Sequence, residues 1–92
     1  MRDLNEIRID IDQIDRQIVA LYEKRMDLTK QVAEYKIANN KPVLDVERER
    51  AKLEKIQSLV ENAEYTNGAR ELFEAIMSIS REQQQSLIDQ VK

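Results

Sequence analysis

Apolar residues recur along the first third of the chain at Leu4, Ile7, Ile11, Ile14, Ile18 and Leu21, and again at Leu28, Val32 and Tyr35. The steps alternate between three and four, the spacing that keeps side chains on one face of an α-helix. One position breaks the stripe. Where an aliphatic residue is due, the chain has Arg25. A guanidinium does not lose its proton, and burying it unpaired costs on the order of several kcal/mol. An anion is therefore expected to meet Arg25, either a structural carboxylate or a bound ligand.

The same pattern predicts an all-α chain of three helices. Asp3 is placed to cap the first, with Glu6 completing a capping box. Nothing interrupts that helix before Asn39-Asn40-Lys41-Pro42, so it is predicted to reach about Asn39. A second helix is predicted from near Asp45 to about Val60. The polar segment from Glu61 to Asn67 offers Thr66 or Asn67 as a cap for a third helix, from Gly68 or Ala69 to Gln90. The first helix would be roughly 54 Å long at 1.5 Å per residue. A compact globule of this chain length is only about 30 Å across, and no Pro or Gly is present to kink the helix. Its stripe needs a partner, and a second copy of the chain is the simplest one. The expectation is an intertwined homodimer.

The other two helices carry similar defects. Val46, Leu53, Ile56 and Val60 form the second stripe, and Glu49 fills its missing turn; Asp45, Arg48 and Glu49 share adjoining parts of one face. In the third helix, Phe73 and Ile76 lead to Ser80 and Gln84 before Leu87 and Val91 resume the apolar line. Two readings stand. In one, Arg25 and Glu49 form an ion pair that fixes register, with Ser80 and Gln84 completing its hydrogen bonds. In the other, cation, anion, hydroxyl and amide line a pocket. Lys36 follows Arg25 by three helical turns, about 16 Å between Cα atoms, so two long side chains can converge on a small ligand. Arg8 lies about 26 Å from Arg25 along the axis, beyond reach within one chain, although an antiparallel second chain would bring it alongside. Taken singly, Arg8 and Lys36 read as ordinary solvated side chains. Tyr22, Tyr35 and Tyr65 read as packing or boundary residues. Asp10, Asp12 and Asp15 lack the spacing and glycine of a calcium loop.

Composition narrows the chemistry. The 92 residues make one domain, with 41% hydrophobic and 36% charged residues, one Gly and one Pro. There is no His and no Cys, which excludes a thiol nucleophile, an imidazole base and a zinc site of the usual type. One glycine cannot build a phosphate-binding loop. A net charge of −3 argues against nucleic-acid binding. No apolar run approaches the length of a membrane span, and Met-Arg-Asp-Leu-Asn lacks the apolar core of a signal peptide. The lack of cysteine fits a reducing, cytoplasmic setting. An enzyme of this composition works by positioning and electrostatics, with no metal or cofactor expected.

In order along the chain stand Arg8, Arg25, Lys36, the segment Pro42-Val43-Leu44-Asp45-Val46-Glu47-Arg48-Glu49, and Ser80 with Gln84. With these residues the sequence resembles the all-helical bacterial chorismate mutases of the AroQ type along essentially its whole length. The resemblance implies rearrangement of chorismate to prephenate by an intramolecular Claisen shift. It implies that Arg25, and Arg8 from the other chain, bind the two carboxylates, assisted by Arg48 and Ser80. Lys36 and Gln84 would donate to the ether oxygen. Glu49 would accept from the ring hydroxyl, with Asp45 helping there.

Two alternatives remain open at this level. An isochorismate-pyruvate lyase shares the fold and needs the two arginines and the lysine, but Glu49 favours the mutase. A non-catalytic helical dimerisation module gives no reason for the identities of Arg8, Lys36 and Gln84. The chain reads equally well as a stand-alone enzyme or as a domain of a fusion, and feedback control by aromatic amino acids is not expected of it alone.

Overall fold

The computed structural model describes all 92 residues. It consists of α1 (Leu4–Ala38), α2 (Val46–Leu59), a single 3-10 turn (Ala63–Tyr65) and α3 (Thr66–Gln90), with no strand. No helix is long and apolar enough to cross a membrane.

α1 runs unbroken to the stop the sequence predicts, ending one residue early. The N–H of Lys41 bonds the carbonyl of Lys36 at 2.9 Å, and that of Asn40 reaches Ile37 at 3.4 Å. This is the Schellman closure of a helix. It requires a left-handed residue, and Asn40 takes φ 52°; asparagine is among the few non-glycine residues that tolerate this region. Pro42 then prevents resumption of the helix. The start of α1 departs from expectation. Asp3 makes no side-chain cap bond, so the capping box with Glu6 does not form. That end is exposed, and water can serve its free N–H groups.

α2 starts as predicted, with the Asp45 carboxylate accepting the Arg48 N–H at 3.1 Å. α3 starts two residues earlier than expected. Asn62 accepts the Glu64 N–H through its side chain at 3.0 Å and opens the 3-10 turn. Thr66 N–H then bonds Ala63 O, which carries the turn directly into the helix. Asn62 therefore takes the capping role expected of Thr66 or Asn67, and Gly68 lies inside the first turn of α3.

α3 is the shared element. It packs on both α1 and α2, which do not pack on each other. Contacts of Arg25 with Ser80 and of Thr29 with Gln83 run in the same sense, so α3 lies parallel to the second half of α1. Glu49 meets Arg81 from the antiparallel α2. The first turns of α1 extend beyond this contact region. The molecule measures 57 × 25 × 14 Å, with a radius of gyration of 16.7 Å, against about 12 Å for a compact chain of this length.

The core is correspondingly thin. Ala33, Ile56 and Met77 are its only buried apolar residues, and Ser80 and Gln84 are buried with them. The α1 stripe is left open to solvent at Leu4, Ile11, Ile14, Ile18, Leu21, Leu28, Val32 and Tyr35. The chain exposes 7505 Å², roughly a third more than the about 5,600 Å² expected of a compact monomer of this size.

Candidate active site

Four residues of α1 at helical spacing, Arg25, Thr29, Val32 and Lys36, form one wall of a cleft of about 140 Å³. α2 supplies Arg48, Glu49 and Lys52, and α3 supplies Met77, Ser80 and Gln84. Six of the eight positions singled out in the sequence, Arg25, Lys36, Arg48, Glu49, Ser80 and Gln84, are thus brought together by three different helices.

Arg25 donates to Ser80 Oγ at 2.9 Å, and the Ser80 hydroxyl in turn donates to the Ile76 carbonyl at 2.9 Å. Arg25 takes part in no ion pair. The structural Arg25–Glu49 pair weighed from the sequence is therefore not formed. Glu49 instead pairs with Arg81, one turn before Gln85 on α3, with both side chains partly buried. A guanidinium has five N–H donors, so most of the hydrogen-bonding capacity of Arg25 remains for a ligand.

Lys36 donates to the Val43 carbonyl at 2.6 Å. This bond ties the end of α1 to the loop before α2 and fixes the ammonium at one end of the cleft. Two of its three protons stay free. Gln84 is 6% exposed, yet its Oε1 has no hydrogen-bond partner. A buried carbonyl left unsatisfied costs about 1–3 kcal/mol, and groups of this kind are rare enough in native proteins to need an explanation. Thr29 donates to Gln83 Oε1 at 2.7 Å, and Gln83 Nε2 bonds the Met26 carbonyl at 3.0 Å. These two bonds lock α1 to α3 beside Arg25.

The remaining two expected positions lie outside the cleft. Asp45 serves as the cap of α2. Arg8 is exposed on the free end of α1, about 26 Å along the helix from Arg25. Asp89, near the end of α3, is held below the usual carboxylate range by a hydrogen bond from Gln85 and then by Lys92; it is not part of the cleft.

Sequence reasoning missed Thr29, Lys52 and Met77 as lining residues and Arg81 as the partner of Glu49. Lys52 had a detectable signal, since it lies three residues after Glu49 on the same face. Thr29 and Met77 are ordinary helix residues and carry no such signal. No cluster of acidic, histidine or cysteine side chains is arranged to hold a metal ion. Chemically, the cleft is a small space with four cations, a single carboxylate already matched by Arg81, and an unpaired amide. It suits a small anion with hydrogen-bonding oxygens.

Residues 7–85 match the family described as chorismate mutase type II. The chain is 41% identical over 88 residues to a bifunctional chorismate mutase/prephenate dehydratase of Buchnera aphidicola subsp. Schizaphis graminum, covering 95% of this chain and 23% of that protein. It is 40% identical over 82 residues to a bifunctional chorismate mutase/prephenate dehydratase of Aquifex aeolicus, covering 89% and 22%. It is 37% identical over 54 residues to the T-protein of Haemophilus influenzae, covering 59% and 14%. The chain thus spans less than a quarter of the length of these relatives. No solved structure matches it. The all-helical architecture, the cationic cleft and a family match along most of its length agree: the chain belongs to the type II chorismate mutases.

Proposed function

We propose that the cleft between α1, α2 and α3 converts chorismate to prephenate, with Arg25, Lys36, Glu49 and Gln84 as the residues that act on the reacting molecule. One ether C–O bond breaks while one C–C bond forms within the same molecule. No proton transfer and no covalent intermediate are required, so a chain without His or Cys is adequate. The catalyst has two tasks. It holds the diacid in its compact reactive conformer, and it stabilises negative charge on the ether oxygen as the bond breaks.

The residues divide between these tasks. Arg25, held by Ser80, takes one carboxylate, with Arg48 at the rim. Lys36, fixed by Val43, and the buried Gln84 amide donate to the ether oxygen. Arg81 engages one oxygen of Glu49 and leaves the other to accept the ring hydroxyl. Asp45 supports this end by capping α2. The observation that carries the reading is the charge of the cleft: Arg25, Lys36, Arg48 and Lys52 line it, and its one carboxylate, Glu49, is paired with Arg81. An anionic ligand supplies the partner that Arg25 lacks.

The reading includes an intertwined homodimer in which Arg8 of a second copy completes the site. The uncovered α1 stripe, the extended shape and the excess exposed surface support it. So does an apolar hollow between Ile18, Leu21 and Tyr22 of α1 and Leu72, Phe73 and Ile76 of α3. A cytoplasmic biosynthetic setting goes with the reaction.

The test is to mix the purified chain with chorismate and follow loss of its ultraviolet absorbance, identifying the product by NMR. Prephenate is expected. Isochorismate is run in parallel, and release of pyruvate from it, with chorismate untouched, would replace this reading with the lyase. No turnover of either would leave a dimerisation module.

A further inference from the structure

We propose that Lys52 is a further substrate-binding residue, forming with Arg25 and Ser80 a carboxylate subsite within one chain. The inference rests on the mutase reading of the cleft and adds to it a cation that the resemblance does not assign.

Position comes first. Lys52 lies on α2, one turn beyond Arg48 and Glu49, and lines the same cleft. Because α2 runs antiparallel to α3, Glu49 meets Arg81 while Lys52 comes abreast of Met77. One turn along α3 from Met77 is Ser80, which holds Arg25. Lys52 therefore stands at the Arg25 end of the cleft, while Lys36 and Gln84 stand at the other.

Charge comes next. Lys52 is half-buried and forms no ion pair. Its neighbours at helical spacing are Arg48, Glu49, Lys55 and Ile56, so Glu49 is its only local acid. That carboxylate is taken by Arg81 across the helix pair. The cleft then holds Arg25, Lys36, Arg48 and Lys52 with no free anion to match them. An ammonium on a partly buried side chain lining the cleft is stabilised by an incoming carboxylate more than one on a fully solvated side chain would be. The competing reading is that the Lys52 stem merely covers Met77 while its head stays in water.

Lys52→Met separates the two, because it keeps an unbranched apolar stem and removes only the charge. Steady-state kinetics with chorismate are measured for wild type, Lys52→Met and Lys52→Arg, at low and high salt. Loss of one partly solvated charged contact should raise KM about tenfold in Lys52→Met. The ground-state carboxylate persists in the transition state, so kcat should stay within about threefold. Lys52→Arg should restore KM to within about threefold of wild type, and the salt dependence of KM should be shallower in Lys52→Met. If Lys52→Met melts below the assay temperature, Lys52→Gln replaces it with the same expectations. An unchanged KM in the charge-removed variant, beside an active wild type, overturns this inference alone. A wild type that does not turn over chorismate overturns the mutase reading and this inference with it.

Discussion

Replacing Gln84 with methionine should stabilise the chain and inactivate it. Gln84 is 6% exposed on the inner face of α3 between Ser80 and Leu87, and its Oε1 is buried without a partner. Methionine is unbranched, similar in length and adaptable in packing, so it fills the same space without the carbonyl. Removing an unsatisfied buried acceptor returns its desolvation cost, about 1–3 kcal/mol; allowing for imperfect packing, a gain of about 1 kcal/mol is expected. That corresponds to a rise in Tm of about 2–8 °C, the lower figures applying to a larger dimeric folding unit. The same change removes the donor proposed for the ether oxygen, so kcat/KM should fall about a hundredfold or more. The assay is a thermal melt at one fixed protein concentration, since an oligomer's Tm depends on concentration, together with chorismate kinetics on the same samples. A loss of about 1 kcal/mol or more would refute the reasoning, because it would mean that the amide has partners within the protein. So would a variant that keeps its activity.

Three further outcomes follow from the site and the fold. Lys36→Ala should lower kcat by at least about a hundredfold with a smaller change in KM, because a cation at the ether oxygen acts mainly in the transition state; steady-state kinetics check this, and unchanged kcat would remove Lys36 from the mechanism. Gln84→Glu should be active only at acidic pH: a carboxyl donates a hydrogen bond only when protonated, so activity should rise as pH falls toward its pKa, about 4.3 in water and higher when buried, and a pH–rate profile showing full activity at neutral pH would contradict this. Gly68→Ala should raise stability by about 0.4–1 kcal/mol, measured by denaturant melts, because Gly68 is helical and an added Cβ meets nothing within 4 Å.

How much of this was legible in the sequence varies with the physics of each feature. The length of α1 and its stop at Asn39-Asn40-Lys41-Pro42 were readable, because helix breakers act locally. Arg25, Glu49, Ser80 and Gln84 were readable as polar residues standing where a 3.6-residue period demands apolar ones. The Arg81–Glu49 pair was not readable, since it joins residues 32 positions apart and depends on how α2 docks on α3. Thr29 and Met77 gave no signal, because neither residue type is out of place on a helix. The early start of α3 was missed because the 3-10 turn gave its cap to Asn62, four residues before Thr66. The Asp3–Glu6 capping box met the sequence rule and still did not form. The stripe on α1 implied that one chain cannot cover it, and it stands open along most of its length.

The central claim is that the electrostatic site is completed by two chains, with Arg25 from one and Arg8 from the other. It is tested most directly by mixing two inactive variants, Arg8→Ala and Arg25→Ala. Each should lose most activity alone, because each lacks one charge-assisted contact worth about 1.5–3 kcal/mol. After unfolding and refolding as an equal mixture, half of the dimers combine one copy of each variant. In these, one cleft collects both defects and the other is intact. The account predicts recovery of about a quarter of the wild-type activity. An activity that stays at the level of the separate variants, once subunit exchange has been demonstrated, would contradict it.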